Sequence, residues 1–382
     1  MTPRDTIYNT FDRWVTIRDK TAIDVICATV IGNRLPGQPL YLVLLAPSSA
    51  GKSILIDSLR DLKDVHSLSK LSDKTLFSGF KQKRSGLLER LDQEKTWILT
   101  FKDFTTILSQ PRTMRDAILA QFREIYDGSF TGEWGSGKSF IWKGKIGLIL
   151  GCTGAWEEIG SEFGILGERF VLYRIAERGG LVQAERATRG SATQKEMESD
   201  LRQAMKALDE IPTDTEPEIS YEDRMHISLL AETTARARTP VPRNYFTRIV
   251  TSMPEVEGPM RLAGQLSQLA RGLALFRGRT AVVEDDLDVL NLMAFCSLPR
   301  ERRRILEHLD FNGETVRDFA NRMNVPASLV GRAFQDLTLL TMVEKQVRGF
   351  IPTAKYQNYF MLARSLHTPS QEPNGESPGD AE

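Results

Sequence analysis

Residues 41–59, YLVLLAPSSAGKSILIDSL, restrict the possible folds of this chain more than any other stretch. Five consecutive apolar residues, 41–45, have the composition of a strand buried on both faces, a strand of a parallel sheet covered by helices. Small residues follow, then Gly51-Lys52-Ser53, then Ile54, Leu55, Ser58 and Leu59 at helical spacing. A buried strand, a small-residue loop and a helix in that order turn backbone N–H groups inward, as a phosphate group requires. The lysine of such a loop reaches the β/γ-phosphates and the hydroxyl after it faces magnesium. Ala46, Pro47, Ser48, Ser49, Ala50, Gly51, Lys52 and Ser53 are therefore expected to hold ATP, with Ser53 also on Mg2+. Ala46 stands where this pattern usually has its first glycine, a position that needs only a small residue. The alternative is a structural strand–turn–helix corner.

A second stretch, TGEWGSGKSF at 131–140, matches the letters better: Gly132, four residues, then Gly137-Lys138-Ser139. No apolar strand feeds it and no amphipathic helix leaves it. Two extended arms around a glycine-rich tip predict a β-hairpin. The tip is expected to expose Lys138, flanked by Lys143 and Lys145, together with the aromatic surface of Trp134, Phe140 and Trp142.

The formal charge of the 382-residue chain is zero, so any attraction to polyanions must be local. Cys27, Cys152 and Cys296 are scattered singly, which argues against a disulfide framework and for a reducing, cytoplasmic setting. The apolar runs are too short to span a bilayer, and the four histidines show no metal-ligand spacing.

Helical periodicity at 1–34 predicts an N-terminal helical segment, and alternating strands and helices at 35–178 predict an α/β core. A linker around one short helix is expected at 179–220, a helical lid at 221–297, a winged-helix domain at 298–364 and a disordered tail at 365–382. The winged helix follows from a helix, a second helix opened by Glu314, a turn at Val325-Pro326, a third helix and a ribbon turning at Arg348-Gly349. Its third helix offers only Arg332 to a DNA groove, which predicts phosphate contact or protein docking rather than base reading. Two arginine clusters, Arg300, Arg302, Arg303 and Arg304, and Arg236, Arg238, Arg243 and Arg248, raise local positive potential.

In the core, the strand of TWILTFKDF ends at Asp103, a candidate magnesium carboxylate or a capping aspartate. Phe104 stands where a water-activating glutamate is common, which leaves the general base unassigned; Glu124 is a weak substitute. Thr153, ending the strand of KIGLILGCTG, is a candidate for positioning water or γ-phosphate. Arg169 in GERFVLYRI is a candidate arginine finger for a neighbouring subunit, or a surface arginine paired with Glu168. Arg261 near the start of MRLAGQL is a candidate phosphate contact from the lid, or a solvated helical arginine.

The ordered set LLAPSSAGKS, ILTFKDF, the lysine-tipped hairpin, ILGCTG, GERFVLYRI and MRLAGQL resembles AAA+ ATPases over roughly residues 20–297. It looks closest to the branch with a hairpin before the third strand, which includes minichromosome-maintenance-type helicases. In wording it is most similar to AAA-family ATPases of phages and mobile elements. The resemblance implies an α/β P-loop NTPase core, a helical lid and a C-terminal winged helix. It further implies a homo-oligomeric ring with Lys138 gripping DNA phosphates in its channel, and ATP hydrolysis completed across the interface by Arg169. DNA translocation or unwinding during replication of a mobile element would be the work done. The rival expectations are a slowly hydrolysing, nucleotide-switched DNA-binding scaffold and a winged-helix transcription regulator with a vestigial loop.

Overall fold

The strand Tyr41–Leu45 (β1) is buried at every residue, with a parallel neighbour on each edge and helices flanking the sheet. It belongs to a five-stranded sheet with Val65–Leu68 (β2), Trp97–Phe101 (β3), Ile146–Cys152 (β6) and Val171–Arg174 (β7), in the order β2-β3-β6-β1-β7. Every pairing in it is parallel. All five strands therefore end on the same edge, and the loops after β1, β6 and β3 emerge side by side. Helices flank the sheet, so the fold is α/β.

These features come from a computed structural model describing residues 2–15, 19–48, 50–72, 74–78, 86–134, 137–158, 169–175, 188, 191–244 and 246–367. The chain divides into two units, Met1–Pro299 and Arg300–Glu382. No described helix is long and apolar enough to cross a membrane.

The N-terminal stretch is two helices, Pro3–Trp14 (α1) and Lys20–Arg34 (α2), the second capped by the Asp19 side chain. It is not a separate segment. Twelve consecutive α2 residues, Ala22 to Asn33, are buried, because α2 lies between the sheet and helix Met260–Phe276 (α10). A Cβ on Gly147 of β6 would meet Asn33 Cγ at 2.4 Å, and one on Gly272 of α10 would meet Ala28 O at 2.2 Å. Asn33 bonds Leu40 in both directions (Nδ2 to Leu40 O, 3.2 Å; Leu40 N to Oδ1, 2.9 Å), fixing the entry into β1.

After β1 come Lys52–Asp57 (α3), Leu87–Arg90 (α4), Thr105–Leu108 (α5) and Arg112–Tyr126 (α6). The hairpin forms as its glycines and aromatics predict: Ser129–Trp134 (β4) pairs antiparallel with Lys138–Lys143 (β5). Its aromatic face corrects the expectation of an aromatic surface. Trp142 is buried, Phe130 stacks on Phe77 at 3.6 Å between centroids, and Phe130, Trp134 and Phe140 all pack against the core. Alternation places Thr131, Glu133, Ser139, Ile141 and Lys143 on the solvent side. Lys145 does not flank the tip either. It is half-buried at the base, its Nζ donates to Leu35 O at 2.6 Å, and burial pulls its pKa down to about 8.

Helix Ala155–Glu158 (α7) follows β6, and Ser191–Met205 (α8) leads into a short 3-10 turn, Lys206–Glu210. The described part of the expected linker is packed, not loose. Leu201, Ala204, Met205 and Leu208 are buried, Trp14 Nε1 donates to Asp200 at 2.8 Å, and Arg34 pairs with Asp64 and Asp209 at 2.7 and 2.6 Å. Tyr221–Arg238 (α9), α10 and Glu284–Cys296 (α11) complete the unit. The expected lid is likewise continuous with the core: the Arg174 guanidinium on β7 donates to Cys296 O and Leu298 O at 3.1 and 3.0 Å.

The second unit holds Arg300–His308 (α12), Val316–Arg322 (α13), Ala327–Leu339 (α14), the ribbon Val343–Gln346 (β8) and Gly349–Pro352 (β9), and Gln357–His367 (α15). Ile305, Phe319, Phe334, Leu337 and Phe360 form its buried centre. Thr315, not Glu314, caps α13; Glu314 instead exchanges backbone bonds with Phe350 and accepts from Arg322 at 2.7 Å. Gly349 has φ +124°, and a Cβ there would meet Glu314 C at 2.3 Å, so only glycine serves. Helix α15 covers 365–367 of the expected tail; 368–382 lie outside the described residues.

Candidate functional site

Parallel sheets bind ligands beyond the carboxyl ends of their strands. Here that edge carries the loop 46–51. Ala46 N continues the ladder to Cys152 O (3.2 Å), and the chain then leaves the sheet over exposed Pro47 and Ser48. Gly51 takes φ +87°, the left-handed region that a side chain opposes, and thereby starts α3 at Lys52. The helical ladder begins with Ile54 and Leu55, both donating to Gly51 O, so the Lys52 and Ser53 amides precede it. Ala50 is half-buried, Ser53 is exposed and Ser49 lies outside the described residues.

Lys52 is 7% exposed, and its Nζ donates to Ala46 O at 2.5 Å and Pro47 O at 2.6 Å. The ammonium thus closes its own loop into a ring. Burial lowers its pKa, opposed by the thiol of Cys152 and the carboxylate of Asp103. Asp103 follows β3 on the same edge of the sheet, with β6 between β3 and β1.

The floor of the site joins the ends of β3 and β6. Asp103 is exposed and its Oδ1 accepts from Thr105 N at 3.0 Å. The Thr105 hydroxyl lies 3.3 Å from the Thr153 hydroxyl, accepts from Thr153 N at 3.3 Å, and lies 3.6 Å from Cys152 Sγ. Phe104 points the other way: it is fully buried against Phe101 and Phe122, with its N–H on Gly151 O at 2.7 Å. The position after Asp103 thus belongs to the core, and the next residue, Thr105, faces the site. Sequence reading passed over Thr105; its only signal is a hydroxyl two residues beyond a strand-end aspartate.

A buried carboxylate ties the loop helix to this floor. Asp57 on α3 accepts from Lys102 Nζ at 2.5 Å and from Arg202 of α8. Burial pushes the Asp57 carboxyl up, but the bonds from Lys102 and Arg202 outweigh it and leave the group below the usual carboxylate range. Lys102 is the neighbour of Asp103, so this contact fixes the end of β3 against α3.

Other expected site residues are not brought here. Arg169 lies before β7, at the opposite end of the sheet from Lys52. It is 8% exposed and pairs with Asp127 at 2.9 Å over the Tyr126 ring; Glu168 lies outside the described residues. Arg261 is at that far end too. Burial pushes the Tyr126 phenol well up, opposed by the positive charges of Arg261, Arg169 and Arg238. Gln265, one turn after Arg261, donates to Arg169 O at 2.6 Å. The lid contact expected of Arg261 with its own phosphate loop is therefore corrected. Glu124 is on the exposed face of α6, and α6 ends at Tyr126.

Lys138 opens β5 opposite Trp134; its side chain lies outside the described structure, while Lys143 is exposed. In the second unit, half-buried Arg332 donates to Ser328 O at 3.2 Å. The nearby arginine cluster is largely neutralised: Arg302 is buried against Asp336 at 2.9 Å, Arg303 pairs with Glu307 and Arg304 with Glu301. Arg238 of the other cluster is buried against Glu257. Among the described residues no group of three or more His, Cys, Asp or Glu is placed to hold a metal. Mg2+ with a nucleotide needs only one or two protein ligands. Searches with protein-family models and among curated proteins returned no match.

Proposed function

We propose that the chain binds ATP with magnesium at the loop 46–53 and hydrolyses it, as an ATPase of the AAA+ kind. The observation that carries this is the placement of Gly51-Lys52-Ser53, Asp103 and Thr153 after adjacent strands on the carboxyl edge of a sheet ordered β2-β3-β6-β1-β7, with Thr105 bonding both Asp103 and Thr153. Backbone amides at Lys52 and Ser53 suit phosphate oxygens, and Lys52 exchanges its two loop carbonyls for a β/γ-phosphate. Ser53 and Asp103 would hold Mg2+, which when bound supplies charge neutralisation at the β- and γ-phosphates. Thr105 and Thr153 orient water from the floor. Arg169 serves a neighbouring copy in a ring, leaving Asp127 to do so, and Arg261 at the same end belongs to that contact rather than to its own loop.

The hairpin β4–β5 supports a DNA-gripping role for Lys138 and Lys143, because it is anchored by aromatics on one face and polar on the other. The helix–helix–turn–helix–ribbon order of the second unit supports a winged helix, with Arg332 a phosphate contact at most. The work done on DNA is translocation or unwinding. A slowly hydrolysing nucleotide switch is the second reading, favoured by Phe104: its burial leaves no carboxylate directly after Asp103. Titration of the protein with a fluorescent ATP analogue tests the first. Lys52→Ala is expected to weaken binding at least tenfold; a variant binding as tightly as the parent would sink the assignment.

A further inference from the structure

Ser53 and Asp103 come from different elements, α3 and the end of β3, so a metal ion held by both needs those elements at a set spacing. One side-chain bond spans them: Asp57, the last residue of α3, accepts at Oδ1 from Lys102 Nζ at 2.5 Å. Ser53 and Asp57 are four residues apart on one helix and therefore share a face. Lys102 and Asp103 are consecutive in the chain. The bond thus joins a residue one turn from Ser53 to the immediate neighbour of Asp103.

Both ends of this brace are held. The Asp57 side chain is 9% exposed, its Oδ2 accepts from Arg202 of α8, and Arg60 Nε lies 3.5 Å from Oδ1. Buried Leu201, Ala204 and Met205 seat α8, and Trp14 Nε1 holds Asp200 at 2.8 Å. On the other side, a Cβ on Gly151 of β6 would meet Lys102 O at 2.5 Å and Ile56 Cδ1 at 3.0 Å. The Lys102 backbone, α3 and β6 are therefore in contact without slack, and Phe104 N adds a bond to Gly151 O at 2.7 Å. The Lys102 side chain itself is 42% exposed. An ion pair with one partner this open contributes little stability by itself. Its consequence is geometric.

We propose that Asp57 and Lys102 are positioning residues that set the spacing of Ser53 and Asp103 and so favour magnesium over larger divalent ions. The proposal rests on the reading of 46–53 as a nucleotide loop. Mg2+ needs near-ideal octahedral geometry with oxygens at about 2.0–2.1 Å, whereas Ca2+ accepts flexible arrangements at about 2.3–2.6 Å. Loosening the brace therefore penalises Mg2+ and leaves Ca2+ nearly indifferent. The charge of Lys102 acts in the opposite sense, because an ammonium near a divalent cation repels it. Removing that charge would by electrostatics alone tighten the metal, so the sign of the effect separates geometry from charge.

A fluorescent ATP analogue titrated into the full chain with EDTA, with Mg2+ and with Ca2+ gives three affinities to compare. Lys102→Met is expected to bind like the parent in EDTA, about tenfold to a hundredfold more weakly in Mg2+, and within about twofold of the parent in Ca2+. Lys102→Arg keeps a cation for Asp57 and is expected to recover most of the Mg2+ affinity. Asp57→Asn should resemble Lys102→Met; the two Lys102 variants decide the matter even where Asp57→Asn does not fold. A Lys102→Met protein that matches the parent in Mg2+, binds more tightly there, or weakens as much in Ca2+ or EDTA overturns the brace and leaves the nucleotide reading in place. So does Lys102→Arg that stays as weak as Lys102→Met. A parent that binds no better with Mg2+ than with EDTA removes the metal ligands and the brace with them. A parent that binds the analogue in none of the three solutions overturns the nucleotide reading itself, and the proposal falls with it.

Discussion

Thr105 shows how much a single hydroxyl can decide, because it bonds Thr153 and Cys152 while its own N–H holds Asp103. Thr105→Val keeps the volume and loses the hydroxyl. ATP turnover of that variant is expected to fall by about tenfold to a hundredfold with binding unchanged, a split that steady-state kinetics beside an ATP titration resolves. Lys145 gives a pH signature. Its folded pKa is about 8, against an ordinary value of 10.5, so between those values the unfolded chain binds more protons and stability rises with pH. The parent should gain thermal stability on Lys145→Met as pH rises from about 8 to 10, with no such gain below pH 7, where both states are protonated. A difference that is flat across that range contradicts a buried, strained ammonium. At this scale Gly51-Lys52-Ser53 was legible because strand, loop and helix are consecutive in the chain. Thr105 and Cys152 were not, since their meeting depends on β3 lying beside β6. Arg261 was misplaced for the same reason: motif order says that it follows the core, not which end of the sheet it reaches.

Elements meet where glycine or a buried charge leaves one solution. Gly272→Ala forces a methyl group onto the carbonyl of Ala28, so α2 and α10 must separate, and chemical denaturation is expected to show a loss of about 1–3 kcal/mol. Arg238→Ala strands the buried Glu257 carboxylate and is expected to cost about 3–5 kcal/mol, most of it recovered in Arg238→Met with Glu257→Met. A double variant no more stable than the single one contradicts that account. The strands and the hairpin were legible as apolar runs and glycine-tipped alternation. The burial of α2 was not: Asp24, Thr29 and Asn33 interrupt its apolar positions like the polar face of a one-sided helix, yet all three are buried with their neighbours. Aromatics near a glycine-rich tip suggested a sticky surface, yet the pleat turns Phe130 and Trp142 inward onto Phe77.

Over the whole molecule a net charge of zero conceals segregation, with an arginine-only stretch at 233–254 and a carboxylate-rich one at 195–218. The two glycine-lysine-serine stretches are also resolved at this scale, one at the carboxyl edge of the sheet and the other at the tip of an antiparallel hairpin. The better match to the pattern is in the hairpin, as the residues flanking it predict, and the poorer match is the one that joins a parallel strand to a helix. The most direct check is ATP binding and turnover, with and without single-stranded DNA, for the parent, Lys52→Ala and Lys138→Ala. The account predicts that Lys52→Ala loses nucleotide, whereas Lys138→Ala binds it normally and loses only the stimulation by DNA. Loss of ATP binding in Lys138→Ala with full binding in Lys52→Ala contradicts it.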